Sequence, residues 1–391
     1  MRTPYYVFDA EKLTDRLQMV RNVLPGIPVT YSIKANSFVT QVMCEAADHL
    51  EVCSPGELEI CKKLQVPGDR IIYSGVMKEP VDIEAAVLAG AGILTAESPA
   101  HFRMIQQAAA EMGQTVRILL RLSSGNQFGM DQDTLLKVLS EGNSNPNAVV
   151  IGFHFYSGTQ KKKAVQIGHD LDHLREVIQK ARSMYGFEPS LIEYGPGLAV
   201  EYFKSDDAEA DMTLLAEAAP LMQAFAEEAP LGVEFGRFLA APCGTYYTSV
   251  KDLKMTDGVC YAILDGGIHH LKYYGQMMSM HQPPVHTVYP GEGDAVAYCL
   301  CGSLCTASDV LVREVLLPEL HPGDVLAFEK CGAYSVTEAS GLFLSRDLPA
   351  VYLRQHGELL PVRRAIPTWE INCPDFSLAE KRKDAASCKK D

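Results

Sequence analysis

The feature that most constrains this chain is a repeating texture. From residue 28 to about 238, a short apolar run rich in β-formers is followed by turn residues and then by a stretch with helical periodicity, eight times over. The strand candidates are Val29–Ile33, Leu50–Cys53, Arg70–Tyr73, Gly92–Thr95, Val116–Leu122, Val149–Tyr156, Leu191–Tyr194 and Leu231–Glu234. Amphipathic stretches such as Pro55–Leu64, Pro99–Ala110 and Ala164–Met184 stand between them.

Parallel strands joined by crossover helices are buried on both faces, so eight such units predict a closed (β/α)8 barrel in the α/β class. An open doubly wound sheet is the alternative. Its nucleotide-binding form carries G-x-G-x-x-G directly after the first strand, whereas the first strand here runs into Ser32-Ile33-Lys34-Ala35-Asn36, without a glycine. Beyond residue 240 the pattern changes to short strands (Gly244–Val250, Val259–Leu264, Ala295–Leu300, Val325–Phe328, Ala350–Leu353) broken by Gly, Pro and Asp. Tyr5–Phe8 reads as one more strand, placed to complete that C-terminal sheet. The predicted organisation is a barrel over 25–238, a β domain made of 1–24 plus 239–374, and a polar tail over 375–391.

Charge narrows the partners. Lys and Arg total 35 against 49 Asp and Glu, and a net charge of −14 repels phosphate backbones and anionic lipid. Neither nucleic acid nor a membrane is expected as a partner. No run of about 18 apolar residues occurs, and the opening Met1-Arg2-Thr3-Pro4-Tyr5-Tyr6 lacks the apolar core of a signal peptide, so the expected location is the cytoplasm. The 11 cysteines are odd in number and scattered, which argues against a disulfide framework. The cluster Cys299-Leu300-Cys301-Gly302-Ser303-Leu304-Cys305 has no second pair at zinc spacing, and no metal site is expected.

In such a barrel the chemistry sits at the C-terminal ends of the strands. The first strand delivers Lys34, an ion-paired surface lysine or, if buried, a Schiff-base nucleophile for an aldehyde. The sixth runs through His154-Phe155-Tyr156-Ser157-Gly158-Thr159. Gly195-Pro196-Gly197 and Gly236-Arg237 close the seventh and eighth, where barrels commonly hold a phosphate on backbone N–H groups. Glu234 reads either as the partner of Arg121 or Arg237, or as a carboxylate beside a pyridine nitrogen. Tyr156 either fills the barrel or lies against such a ring.

These segments resemble the fold-type III pyridoxal-phosphate (PLP) decarboxylases, the family of the diaminopimelate, ornithine and arginine decarboxylases, over nearly the full length. The matches stand in family order: Thr3–Asp9, Tyr31–Asn36, Val52–Glu57, Gln127–Met130, Gly158–Gln160, Gly195–Gly197, Glu234–Arg237, Cys301–Cys305 and Gly332–Tyr334. The resemblance implies an alanine-racemase-like barrel followed by a C-terminal β-barrel or β-sandwich domain. It implies PLP attached at Lys34, Glu234 on the pyridine nitrogen, Tyr156 and Thr159 beside the ring and phosphate, and Gly197, Gly236, Arg237 and Tyr334 around the phosphate. It further implies a head-to-tail homodimer in which Cys305 reaches in from a second subunit to protonate the product; without the motif, Cys305 would read as an inert thiol.

Departures from the family pattern narrow the substrate. Tyr156 replaces a ring-stacking histidine, Phe235 replaces a proline, and Thr306 stands where the diaminopimelate enzymes place a glutamate for the distal amine. The run Asp265–Tyr274, with His269 and His270, lacks the expected arginine. These features are similar to a subgroup acting on a glutamyl thioester held by an acyl carrier protein. The reading is a decarboxylase for a carrier-tethered or side-chain-acylated amino acid, with Arg237, His269, His270, Thr306 and Tyr334 as candidate substrate contacts. A decarboxylase of a free diamino acid is the first alternative. An amino acid racemase is another, disfavoured because such racemases place an arginine where Glu234 stands. A third is a non-catalytic PLP-binding protein, disfavoured by the presence of both Lys34 and Cys305.

Overall fold

The structure is a computed structural model, and it describes residues 1–142, 146–203, 210–276, 279–289 and 294–375. Its strands in chain order are β1 (Tyr5–Asp9), β2 (Val29–Ser32), β3 (His49–Val52), β4 (Ile71–Tyr73), β5 (Ile93–Ala96), β6 (Val116–Leu122), β7 (Ala148–Tyr156), β8 (Leu191–Gly195) and β9 (Leu231–Phe235). They continue as β10 (Gly244–Thr256), β11 (Val259–Leu264), β12 (Val285–Thr287), β13 (Ala295–Cys301), β14 (Val310–Pro318), β15 (Val325–Phe328), β16 (Ala350–Gln355) and β17 (Glu358–Arg363).

Strands β2 to β9 close into a parallel barrel, the circuit completed where Val29 of β2 pairs with Val233 of β9. All eight expected strands are there, shifted by a residue or two at their ends. The helices between them begin and stop as their sequences dictate. Ser54 accepts the Glu57 N–H, and Ser98 the His101 N–H, each followed by proline in the first turn. Gly113 and Gly186 end two helices in the left-handed conformation that glycine adopts without strain.

The second domain is a nine-stranded sheet whose main path runs β14-β13-β11-β10-β1-β16-β17, with β15 joining β10 to β12. Strand β1 lies antiparallel to β10 and parallel to β16, so the N-terminal segment is inserted in the middle of this sheet, as the sequence suggested. The stretch 1–24 is nevertheless divided. Helix Ala10–Val23 leans on the barrel's helical layer, where its Arg16 pairs with buried Asp211 at 2.9 Å, and it also touches β16. Strands β12, β14 and β17 were not anticipated. β14 and β17 are the two ends of the main path; Arg313-Glu314 interrupts the apolar run of one and Pro361 sits in the other, features typical of edge strands. No helix among the described residues is long and apolar enough to cross a membrane.

Candidate active site

Lys34 does not end β2 but occupies the 3₁₀ turn Ile33–Ala35 that follows it. Asn36 fixes this turn. Its N–H bonds the Ile33 carbonyl, its Oδ1 accepts the Phe38 N–H at 3.0 Å, and its Nδ2 donates to the Gly332 carbonyl at 2.8 Å. The Tyr334 N–H donates in turn to the Ala35 carbonyl at 2.7 Å. The short run Lys34-Ala35-Asn36 therefore aims a lysine at the barrel mouth and also stitches the β domain to it, bringing Tyr334 alongside.

The Lys34 ammonium lies 2.7 Å from Glu51 Oε2 and 3.4 Å from Cys53 Sγ. Glu51 is the register neighbour of Ser32 on β3, and its side chain is 2 % exposed. Burial alone would raise the Glu51 carboxyl, but the Lys34 charge, His154 and the hydrogen bonds from Lys34 and Ser32 together outweigh it and hold the group well below the usual carboxylate range. Burial likewise pushes Lys34 down, and Glu51, Cys53, Glu234 and Tyr334 together lift it well above the ordinary lysine value. Sequence reasoning missed Glu51. The available signal was an acidic residue in the buried strand next to the lysine, since a buried charge demands a partner.

On the opposite side of Lys34, the ends of β7, β8 and β9 frame a cleft with about 420 Å³ of atom-free space. Lys34, Tyr156, Thr159, Gly197, Glu234, Gly236, Arg237 and Tyr334 all line it, so every residue marked for the cofactor converges there. The glycines are needed for close approach. A Cβ on Gly197, whose φ is +59°, would stand 1.9 Å from the Gly158 carbonyl oxygen. One on Gly195 would stand 2.6 Å from the Tyr156 ring and 2.7 Å from Glu234 Oε1. Tyr156 is only partly buried and faces the cleft instead of plugging the barrel.

Glu234 pairs with neither arginine considered for it. Its Oε2 meets His154 Nε2 at 3.1 Å, a partner the sequence did not reveal, while Arg121 is taken by Glu97 at 2.7 Å. Arg237 has no carboxylate partner among the described residues. It donates to the Tyr202 hydroxyl at 3.0 Å and packs against the rings of Tyr274 and Tyr334, each 4.5 Å away. Glu51, His154 and Glu234 offer ligand atoms within 4.8 Å of one another. Lys34 and the His154–Glu234 contact already engage those atoms.

The remaining candidates lie elsewhere. Cys305 is exposed and Thr306 half-buried on the loop after β13, and neither lines the cleft of its own chain. His269 and His270 are buried in the β domain. His270 is committed there: Nδ1 meets the Tyr246 hydroxyl at 3.0 Å and Nε2 the Asp347 carbonyl at 2.8 Å, which corrects its reading as a substrate contact. His269 packs on it at 3.7 Å between ring centroids with neither ring nitrogen partnered, and burial pushes it down to about 4.

The cleft fits PLP on its chemistry. An aldehyde needs an amine, and Lys34 supplies one. A phosphate needs cationic and N–H donors at backbone distance, which Arg237 without a carboxylate and the side-chain-free turns at Gly197 and Gly236 supply. A pyridine nitrogen needs a carboxylate, and Glu234 faces the cleft with Oε1 unspent after its contact to His154.

Residues 10–241 match the family model described as pyridoxal-dependent decarboxylase, pyridoxal binding domain. The chain is 27 % identical over 390 residues to L-glutamyl-[BtrI acyl-carrier protein] decarboxylase of Niallia circulans, covering 93 % of this chain and 91 % of that protein. It is 28 % identical over 390 residues to 2-[(L-alanin-3-ylcarbamoyl)methyl]-2-hydroxybutanedioate decarboxylase of Staphylococcus aureus, covering 90 % and 95 %. Diaminopimelate decarboxylase from M. jannaschii shares the fold with a TM-score of 0.85 at 21 % identity, covering 95 % of this chain and 92 % of that one. With the match to the family model spanning more than half its length, the chain belongs to the pyridoxal-dependent decarboxylases and takes pyridoxal phosphate as its cofactor.

Proposed function

We propose that this decarboxylase removes the α-carboxylate of an amino acid whose side-chain end is acylated, such as a glutamyl group held as a thioester on an acyl carrier protein. The observation that carries the chemistry is the convergence of Lys34, Glu234 and Arg237 on one cleft, with Glu51 paired to Lys34. The substrate class is supported by two relatives whose names specify a carrier-bound glutamyl group and a carbamoyl-linked alanine, and by the uncharged Thr306.

When bound, the cofactor supplies an aldehyde for covalent capture and a pyridine ring that draws charge away from the substrate α-carbon. The chain's own groups prepare that chemistry. Glu51 Oε2 holds Lys34 as the ammonium and orients its nitrogen, and that proton must leave to water before Lys34 acts as a nucleophile. Arg237, Thr159, Tyr334 and the N–H groups at Gly197 and Gly236 hold the phosphate, and Tyr156 flanks the ring. Glu234 Oε1 retains the proton on the ring nitrogen while His154 holds Oε2. Cys305, supplied across a head-to-tail homodimer, returns a proton to the α-carbon, with Thr306 beside it facing the neutral end of the substrate. The working location in this reading is the cytoplasm.

Mass spectrometry for loss of carbon dioxide across a panel tests the substrate class. Glutamyl-carrier thioester or a side-chain-acylated amino acid is expected to lose carbon dioxide, while free diaminopimelate, ornithine and lysine are spared. Turnover of a free diamino acid alone would replace this reading with the diamino acid one. A D-amino acid formed without carbon dioxide would make the chain a racemase.

A further inference from the structure

Beneath Glu234 the barrel buries a second carboxyl that the mechanism above leaves unused. Glu193 of β8 is 2 % exposed, and its Oε1 has no hydrogen-bond partner. Its neighbour on β9 is Gly232, where an added Cβ would stand 2.8 Å from Glu193 Oε2. The absent side chain at 232 is what admits the carboxyl.

The groups facing Glu193 come from four strands. Glu234 approaches from β9, Glu51 from β3 and the Thr30 hydroxyl from β2. His154 is its register partner on β7. Glu51 is paired with Lys34, and His154 meets Glu234 through Nε2, its Nδ1 having no hydrogen-bond partner. No cation pairs with Glu193 among the described residues.

Two carboxyls packed in a dry barrel do not both ionise, and the one lacking a partner keeps the proton. We infer that Glu193 is a positioning residue held as the neutral acid beneath Glu234, its retained proton leaving the negative charge on the carboxylate that faces the ring nitrogen. This rests on the role given to Glu234 above.

Burial, then the charge on Glu234, with Glu51 adding to it and Thr30 opposing, raises Glu193 to about 8. Below that pH the acid is neutral. As pH climbs through it, a second charge appears against Glu234, and the environment of the ring nitrogen changes.

The test is infrared spectroscopy of the holoenzyme, wild type against Glu193→Gln. The wild type is expected to show the C=O stretch of a protonated carboxylic acid at neutral pH, fading as pH rises through about 8. The wild-type-minus-variant difference should contain that band. The visible absorption of the bound cofactor should titrate over the same range in the wild type and lose that transition in the variant. A difference spectrum without the band, or a variant that keeps the wild-type transition, overturns the inference. If Glu193→Gln does not fold, the wild-type titration alone decides, and an absorption flat across this range refutes it. No substrate enters these measurements, so a titrating band in an enzyme that decarboxylates nothing on the panel would sink the proposed substrate and leave Glu193 standing.

Discussion

The mouth of the barrel and the loop Cys301–Asp309 both carry residues assigned to chemistry, yet they use their polar groups in different ways. At the mouth, polar side chains meet one another: Lys34 on Glu51 at 2.7 Å, His154 on Glu234 at 3.1 Å, and Arg237 among tyrosines. In the loop, the polar groups point back into its own base. Asp309 accepts the Leu304 N–H at 2.7 Å and the Ile268 N–H at 2.8 Å, and Gly302 and Gly267 are side-chain-free where a Cβ would strike that carboxylate. The result displays Cys305 to solvent on a rigid base. One region is a cleft whose cofactor-facing residues come from a single chain, while the other presents Cys305 outside that cleft. In the proposed reading, Cys305 acts in the cleft of the neighbouring chain.

That contrast is broken or kept most decisively by mixing variants. Lys34→Ala alone is expected to lower decarboxylation by on the order of 10⁴-fold, since the covalent anchor is lost. Cys305→Ala is expected to lower it by roughly 10²-fold through loss of a proton donor. If Cys305 serves the neighbouring chain, mixed dimers of the two variants regain about a quarter of wild-type activity, because half the dimers are mixed and each carries one intact site. Subunit mixing with no recovery would put both residues in one chain's site and dissolve the distinction between the regions.

A smaller effect separates the regions by affinity. In Gly197→Ala the new Cβ would meet the Gly158 carbonyl oxygen at 1.9 Å, at a backbone φ of +59° that disfavours side chains. Strain of about 1–3 kcal/mol should weaken PLP binding ~10- to 100-fold, read by titrating the apoprotein with cofactor. Reactivity of the Cys305 thiol toward a maleimide should stay at the wild-type rate. A cofactor affinity unchanged in this variant would mean that the turn after β8 does not cradle the phosphate.

Legibility in the sequence follows the same divide. Barrel strands are buried on both faces and read as short β-rich runs, so all eight, and the residues at their ends, could be located without coordinates. Pairings across strands were not legible. Glu51 and His154 touch their partners only because β3 lies beside β2 and β7 lies one strand from β9, relations that a linear reading does not supply. Edge strands β14 and β17 were missed because the charges and proline that protect an edge also erase the strand signal. His270 was read as a substrate contact, but a histidine whose ring nitrogens meet Tyr246 and Asp347 is part of a domain's framework.

The loop's rigid base offers the finest separation of the two regions. Asp309→Ala strips the acceptor from the buried Leu304 N–H and the part-buried Ile268 N–H. Each orphaned donor costs about 1–3 kcal/mol, so thermal unfolding should register a loss of a few kcal/mol in total. The Asp309 side chain does not line the Lys34 cleft, so cofactor retention should be that of the wild type. Turnover should fall toward the Cys305→Ala value, because a thiol on a loosened loop samples many positions other than the one that delivers its proton. If cofactor is lost along with turnover, the loop supports the cleft itself, and the two regions are one structural unit instead of two partners meeting across a subunit boundary.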